Sequence, residues 1–328
     1  MTEESERFLV TGAAGCIGAW AIRLLIDEGV AVVASDVSED LRRFHLVSHP
    51  RHDEVDFVPL DVTVTADVAR VVEERGITHI VHLAGLQVPF CAANPPLGAM
   101  VNVVGNVNVF DAVRASGRSI GLAYASSAAV FGASSAYSGG VISDTSPLMP
   151  DTHYGVYKVA NEGTARIYSL NNGIGSVGLR PFIVYGPGRD QGMTSDATKA
   201  ILAAIRGEKF NFKFGGNLLL TYAPDCARAF IESARAAAGS GDALVLNVPG
   251  RRVGVAQLVA LIEKLIPEAA GLLTWETKPL FAPALLASPA LGDVIGEVAN
   301  TSLEEGVRAT IEHFRRALAD GVLDPAAP

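Results

Sequence analysis

The chain has 328 residues, 35 acidic against 26 basic side chains, a formal net charge of −9 and 49% hydrophobic residues. That balance excludes a disordered chain, and it excludes a protein built to grip a nucleic-acid backbone, which needs a basic surface. No apolar run reaches the roughly 18 residues of a membrane helix; the nearest, residues 279–295, is interrupted by Pro283, Pro289 and Asp293.

In chain order, the acidic start from Met1 to Arg7 predicts no secretory leader. Short β-branched runs then alternate with helical stretches. Strands are predicted at 8–11, 31–35, 55–59, 80–83, 121–125 and 176–180, with helices at 17–27, 66–75, 97–116 and 153–171. Strands separated by helices imply right-handed crossovers and a doubly wound parallel sheet. Their continuous apolar character fits burial on both faces. Beyond Pro181 the rhythm loosens, and Pro187, Gly188, Gly192, Gly215 and Gly216 mark loops. Helices are expected at 196–206, 225–238, 255–265 and 301–319, with one strand at 244–248. His45, His49 and His52 cluster, but Pro50 interrupts any helix that would align them, so a solvated loop is expected there rather than a metal site. Cys16, Cys91 and Cys226 are odd in number and far apart, which fits a reducing cytoplasm.

The first chemical signal is the stretch 11–18, TGAAGCIG, between a predicted strand and helix. Gly12, Gly15 and Gly18 let the backbone approach a pyrophosphate, and the helix beginning at Cys16 and Ile17 offers unpaired N–H groups to it. Asp36 follows at the end of the second strand. An acid there binds the ribose hydroxyls of NAD and repels the 2′-phosphate of NADP. Asp61 and Val62 follow the third strand, where an acid can meet the adenine amino group. Tyr154 and Lys158, four apart on a predicted helix, point the same way. Tyr157 has Asn161 at that spacing and reads as a packing residue. Ser127, beyond the fifth strand, lies on the sheet rim where ligands bind.

Taken together, these residues resemble the extended short-chain dehydrogenases/reductases, the NAD-dependent epimerase/dehydratase group. The resemblance runs through TGAAGCIG (11–18), HLAG (82–85), NVVGNVNV (102–109), SSAAVFG (126–132), YGVYKVANE (154–162), LRPFIVYGPGR (179–189) and TSLEEGV (301–307). It implies an α/β fold: a Rossmann domain over residues 1–180, and a smaller substrate-binding domain over 181–328, some of whose segments return to the first. Ser127, Tyr154 and Lys158 match the family's catalytic triad. Asn102 would lie beside the cofactor. Leu83, Ala84 and Gly85 would flank its adenosine and ribose, and Pro181, Ile183 and Val184 its nicotinamide. A homodimer through the helices at 97–116 and 153–171 is also implied.

The expected chemistry follows. Tyr154 takes the proton of a substrate hydroxyl while a hydride leaves for NAD. Lys158 favours the phenolate, and Ser127 steadies the reacting oxygen. The resemblance leaves dehydrogenase, epimerase and dehydratase open. Dehydratases of the group carry an Asp-Glu pair after the catalytic Ser/Thr, and Ala128 and Ala129 stand there instead. Epimerases acting on nucleotide sugars hold the diphosphate partly through an arginine ahead of a Val-Asp block. Here that stretch reads Leu218-Leu219-Leu220-Thr221-Tyr222-Ala223-Pro224-Asp225, although Arg189, Lys199 or Arg206 could substitute. A dehydrogenase of a small free sugar, sugar acid or polyol is therefore the leading expectation. A nucleotide-sugar 4-epimerase is the alternative. A non-catalytic dinucleotide sensor is remote, because such proteins lack the Tyr/Lys pair.

Overall fold

The computed structural model describes residues 5–51, 54–132, 136–137, 141–192, 194–280 and 285–323. The amino-terminal half builds β1 (Arg7–Thr11), α1 (Cys16–Asp27), β2 (Ala31–Asp36), α2 (Arg42–Ser48), β3 (Asp56–Pro59), α3 (Thr65–Glu74) and β4 (His79–His82). There follow α4 (Val88–Ala93), α5 (Pro95–Ala99), a π-helical turn (Met100–Val104), α6 (Gly105–Ser116), β5 (Gly121–Ala125), a two-residue strand β6 (Val141–Ile142), α7 (His153–Asn172) and β7 (Ser176–Arg180).

The main sheet has seven parallel strands in the order β11-β7-β5-β4-β1-β2-β3, where β11 is Ala243–Asn247. From β1 the chain winds one way to β2 and β3, and later the other way to β4 and β5. The crevice between β1 and β4 is thus the switch point where such sheets bind ligands. Alternation in β1 shows why both faces are apolar. Phe8 and Val10 join a core with Ile22, Leu25 and Phe230, while Leu9 joins another with Ile80, Phe110 and Tyr124. The helix α9 (Ala223–Ala237) closes the first of these cores, so a segment far along the chain packs beside α1.

The second layer is built from β8 (Ile183–Tyr185), α8 (Asp196–Arg206), β9 (Phe210–Phe212), β10 (Asn217–Tyr222), β12 (Arg251–Gly254), α10 (Val255–Leu265), β13 (Leu273–Trp275) and α12 (Leu303–Ala319). β10 runs antiparallel to β12 and parallel to β8, while β9 pairs with β13. Two short elements, β14 (Leu285–Leu286) beside β6 and α11 (Pro289–Ile295) against α9, complete the described chain.

Several expectations are corrected. The helix predicted over 97–116 is broken into α5, the π turn and α6, because an extra residue is accommodated around Asn102. The loop expected around His45 is helical as α2. His49 caps its end and meets Asp320 at 2.8 Å, while His52 lies outside the described residues. α12 starts at Leu303 rather than Thr301. Ser302 and Glu305 form a reciprocal cap, and Thr301 donates its backbone N–H and its hydroxyl to Asp225. The leucine run 218–220, not expected to be a strand, is the centre of β10 and is buried to 1% exposure.

Candidate active site

The carboxyl ends of the central strands open on a cleft of about 810 Å³. Gly12, Gly15, Cys16, Ile17, Gly18, Asp36, Asp61, Val62, Leu83, Ala84, Gly85, Ser127, Tyr154, Lys158, Pro181 and Val184 all face it. Two residues expected near the cofactor do not. Ile183 is 1% exposed and points into the core of the second layer, with Tyr185, Phe212, Leu218 and Leu220, because alternation along β8 turns its neighbour Val184 to the other face. Asn102 is also 1% exposed and stands behind the wall. Its Nδ2 donates to the carbonyls of Gly98 at 2.9 Å and Leu86 at 3.2 Å, while its Oδ1 is buried with no partner and aims at the space over Gly85.

The glycine loop has the shape a pyrophosphate needs. Gly12 has φ +73°, and a Cβ there would sit 2.7 Å from the backbone nitrogen of Ala84. A Cβ at Gly18 would strike the carbonyl oxygen of Gly12. Only glycines leave β1, β4 and α1 this close, with the first turn of α1 open to the cleft. Asp36 accepts from the N–H of Ala14 at 3.0 Å and from that of Ser38 at 3.1 Å, which holds its carboxylate at the end of β2. Asp61 accepts from the backbone and hydroxyl of Thr63 through one oxygen. The residues present therefore fit a dinucleotide. Arg43 is already engaged, donating to the Ala14 carbonyl at 2.7 Å and to Asp190 at 2.8 Å.

At the other end, Ser127 follows β5 and caps the short turn Ala128–Val130 by accepting from the Ala129 N–H at 3.1 Å. The same hydroxyl faces the cleft together with Tyr154 and favours the ionised form of its phenol. Tyr154 stands in the first turn of α7, whose cap is the Thr152 side chain. One turn on, the Lys158 ammonium lies 5.5 Å from the Tyr154 ring centre and donates to the Ala125 carbonyl at 2.7 Å. Burial lowers Lys158 to about 8. Burial raises the Tyr154 phenol above its ordinary value, and the Ser127 hydroxyl and the Arg189 guanidinium pull it back down. Tyr157 faces away and donates to the Pro95 carbonyl at 2.9 Å, tying α7 to α5.

Behind this pair lies a network to which the sequence reading gave no role. Glu162, one turn beyond Lys158, receives both arms of Arg180 at 2.7 Å and the hydroxyl of Ser126. Arg180 and Glu162 are 4% and 7% exposed. The signal was available: two opposite charges sit inside otherwise apolar blocks, one a turn after Lys158 and the other at the end of a strand. His82, at the end of β4, meets the Thr11 hydroxyl at 2.7 Å, and burial drops it to about 3, so it stays neutral. Cys16 is pushed up to about 12 by burial and is no nucleophile at neutral pH.

Comparison with known proteins agrees with this geometry. A profile of the NAD-dependent epimerase/dehydratase family matches residues 8–248. A UDP-glucose 4-epimerase of Mycolicibacterium smegmatis is 30% identical, over 94% of this chain and 98% of its own. The mitochondrial L-threonine 3-dehydrogenase of Sus scrofa is 28% identical, over 80% of this chain and 69% of its own. Among solved structures, MoeE5 in complex with UDP-glucose and NAD superposes with a TM-score of 0.78 at 26% identity, covering 95% of this chain and 99% of that one. The chain belongs to the NAD-dependent epimerase/dehydratase family, and its cofactor is NAD.

Proposed function

We propose that the protein is an NAD-dependent dehydrogenase that oxidises one hydroxyl of a small polyhydroxylated substrate: a free sugar, a sugar acid or a polyol. One observation carries the choice over a nucleotide-sugar epimerase. Among the described residues, Lys158 and Arg189 are the only cations facing the cleft, and Lys158 is engaged with Ala125. A diphosphate on a wall with one remaining cation would stay undercompensated. Leu218 and Leu220 face the core of the second layer and Leu219 packs with Phe131 and Leu286, so none of the three reaches the cleft. Lys199 and Arg206 do not face it either.

When bound, NAD supplies the acceptor for the hydride leaving the alcohol carbon. Tyr154 removes the hydroxyl proton, and the Ser127 hydroxyl donates to the oxygen as it becomes a carbonyl. Lys158 holds the phenol's surroundings positive below about pH 8. Asp36 holds the adenosine ribose and sets cofactor choice. NAD should exceed NADP at least tenfold in kcat/KM, or about 1.4 kcal/mol, and Asp36→Ala should shrink that ratio. Equal use of both by the unmodified protein would refute the assignment.

The substrate reading is tested at 340 nm with NAD and a panel of sugars, sugar acids, polyols and L-threonine, with UDP-sugars as controls. Calorimetry supplies the second arm: UDP should bind the NAD-loaded protein no tighter than about 1 mM, or −4.1 kcal/mol. Micromolar UDP affinity would give first place to the epimerase, which the 30% identical relative supports. We also propose a cytoplasmic homodimer, as the three free cysteines and the apolar outer face of α7, with Val156, Ile167 and Leu170 exposed, both support. Among the described residues, no helix is long and apolar enough to cross a membrane.

A further inference from the structure

The cleft wall near Tyr154 holds a cation that hydride transfer does not need. Arg189 follows β8 in a segment fixed on both sides. The Pro187 carbonyl accepts from the Trp20 indole at 2.9 Å and the Cys16 thiol at 3.7 Å, and Asp190 is held by Arg43 at 2.7 Å. Arg189 alone among residues 187–190 faces the cleft. Its Nη2 donates to the Thr194 hydroxyl at 3.2 Å, while its Nε is buried and has no acceptor.

Among the described residues, no carboxylate pairs with this guanidinium. Asp190 is taken by Arg43, and the two carboxylates facing the cleft, Asp36 and Asp61, bind backbone groups at its far end. Gln87 stands beside it. Both close on Gly192, whose φ of +95° and lack of a side chain leave them room; a Cβ there would lie 3.2 Å from Arg189 Nη2. An uncompensated, partly buried guanidinium with an unused N–H is unfavourable until an anion arrives, and its planar fork matches a carboxylate. The one remaining charge on the wall matches one negative charge. Arg189 lines the same cleft as Ser127, Tyr154 and Lys158 and acts electrostatically on the Tyr154 phenol.

We propose that Arg189, with Thr194 and Gln87, anchors a carboxylate of the substrate, so that the compound oxidised is a hydroxy acid rather than a neutral sugar or polyol. The proposal rests on the dehydrogenase reading and narrows it. The competing anion is the cofactor's own pyrophosphate, because Arg189 also acts on Cys16 in the glycine loop.

The experiment titrates D-glucuronate, D-gluconate, L-threonine, D-glucose and UDP calorimetrically into the NAD-loaded protein and into its Arg189→Met and Arg189→Lys variants. NADH affinity is followed separately by fluorescence, and folding by circular dichroism. At least one acid should bind tenfold or more tighter than D-glucose. Arg189→Met should weaken that acid at least thirtyfold and Arg189→Lys less, with NADH affinity kept within threefold. Loss of NADH affinity by tenfold, with selectivity for acids unchanged, would assign the cation to the cofactor and overturn the proposal. So would a panel in which no acid outbinds D-glucose. In that case, turnover of a neutral sugar or polyol at 340 nm would leave the dehydrogenase reading standing, whereas UDP binding tighter than every acid would remove both.

Discussion

Tyr154→Phe should lower kcat by about 10² or more, at least 2.7 kcal/mol of barrier, while NADH still binds. The change deletes one oxygen. The Lys158 ammonium lies 5.5 Å from the centre of the ring that carries it, the Ser127 hydroxyl faces the same cleft, and the ring keeps its place in the first turn of α7. Tyr157→Phe, three residues on, removes only the bond to Pro95 and should cost activity less than threefold and stability about 1 kcal/mol. Burial holds the Tyr154 phenol above its ordinary value, so little phenolate exists at neutral pH. Alcohol oxidation should therefore quicken as pH rises and carbonyl reduction should slow, because the first needs the base free and the second needs the acid loaded. Stopped-flow and steady-state kinetics on the two variants check this. If Tyr157→Phe proved the severe change, the wrong tyrosine has been chosen.

Arg180→Met should be the most destabilising of the substitutions considered, by about 3–5 kcal/mol. It leaves the Glu162 carboxylate, 7% exposed, with the Ser126 hydroxyl as its remaining side-chain partner. It also removes the donor to the Asp144 carbonyl and the cation stacked 4.9 Å from the centre of the Phe131 ring. Glu162→Gln strands the guanidinium in the same way. The double variant should be less harmful than the sum of the two singles, since it leaves no unpaired buried charge. Urea unfolding of the four proteins gives the coupling. Additive losses would mean that the pair is not a unit. Activity should fall even where the fold survives, because Ser126 and Ser127 share one turn.

How much could be read in advance depended on how local the signal was. The parallel sheet was legible because each of its strands up to Arg180 is a short apolar run bounded by turns, and the glycine loop because Gly12, Gly15 and Gly18 serve a close approach along one stretch of chain. Tyr154 and Lys158 declared themselves by helical spacing. Ile183 and Val184 did not, because which of two adjacent strand residues faces a cleft is decided by pairing with β10, a partner 37 residues away by register. β10 itself was masked: three consecutive leucines carry no alternation, since Leu219 faces a different core from Leu218 and Leu220. The π turn around Asn102 has no sequence period of its own, and the predicted helix passed through it. Arg189 was visible as one of three cations that could meet a phosphate, not as the one that faces the cleft. Its unused Nε, and the capture of Asp190 by Arg43, exist only in three dimensions.

The Pro187 carbonyl, gripped by Trp20 and Cys16 of α1, makes a splice point of the chain just beyond it. Up to Asp190 the chain is tied to α1 and α2, and an insertion or swap there should disturb the glycine loop that those elements flank. Among the described residues from Gln191 to the start of α8, none has such a clasp to α1. A chimaera that takes its 191–195 segment from a relative, with 187–190 and so Arg189 left untouched, should keep its NADH affinity while changing the fit of the substrate beside that arginine. In that sense the fold separates two inheritances: a cofactor half that tolerates little change, and a replaceable wall that begins one residue after an arginine–aspartate latch.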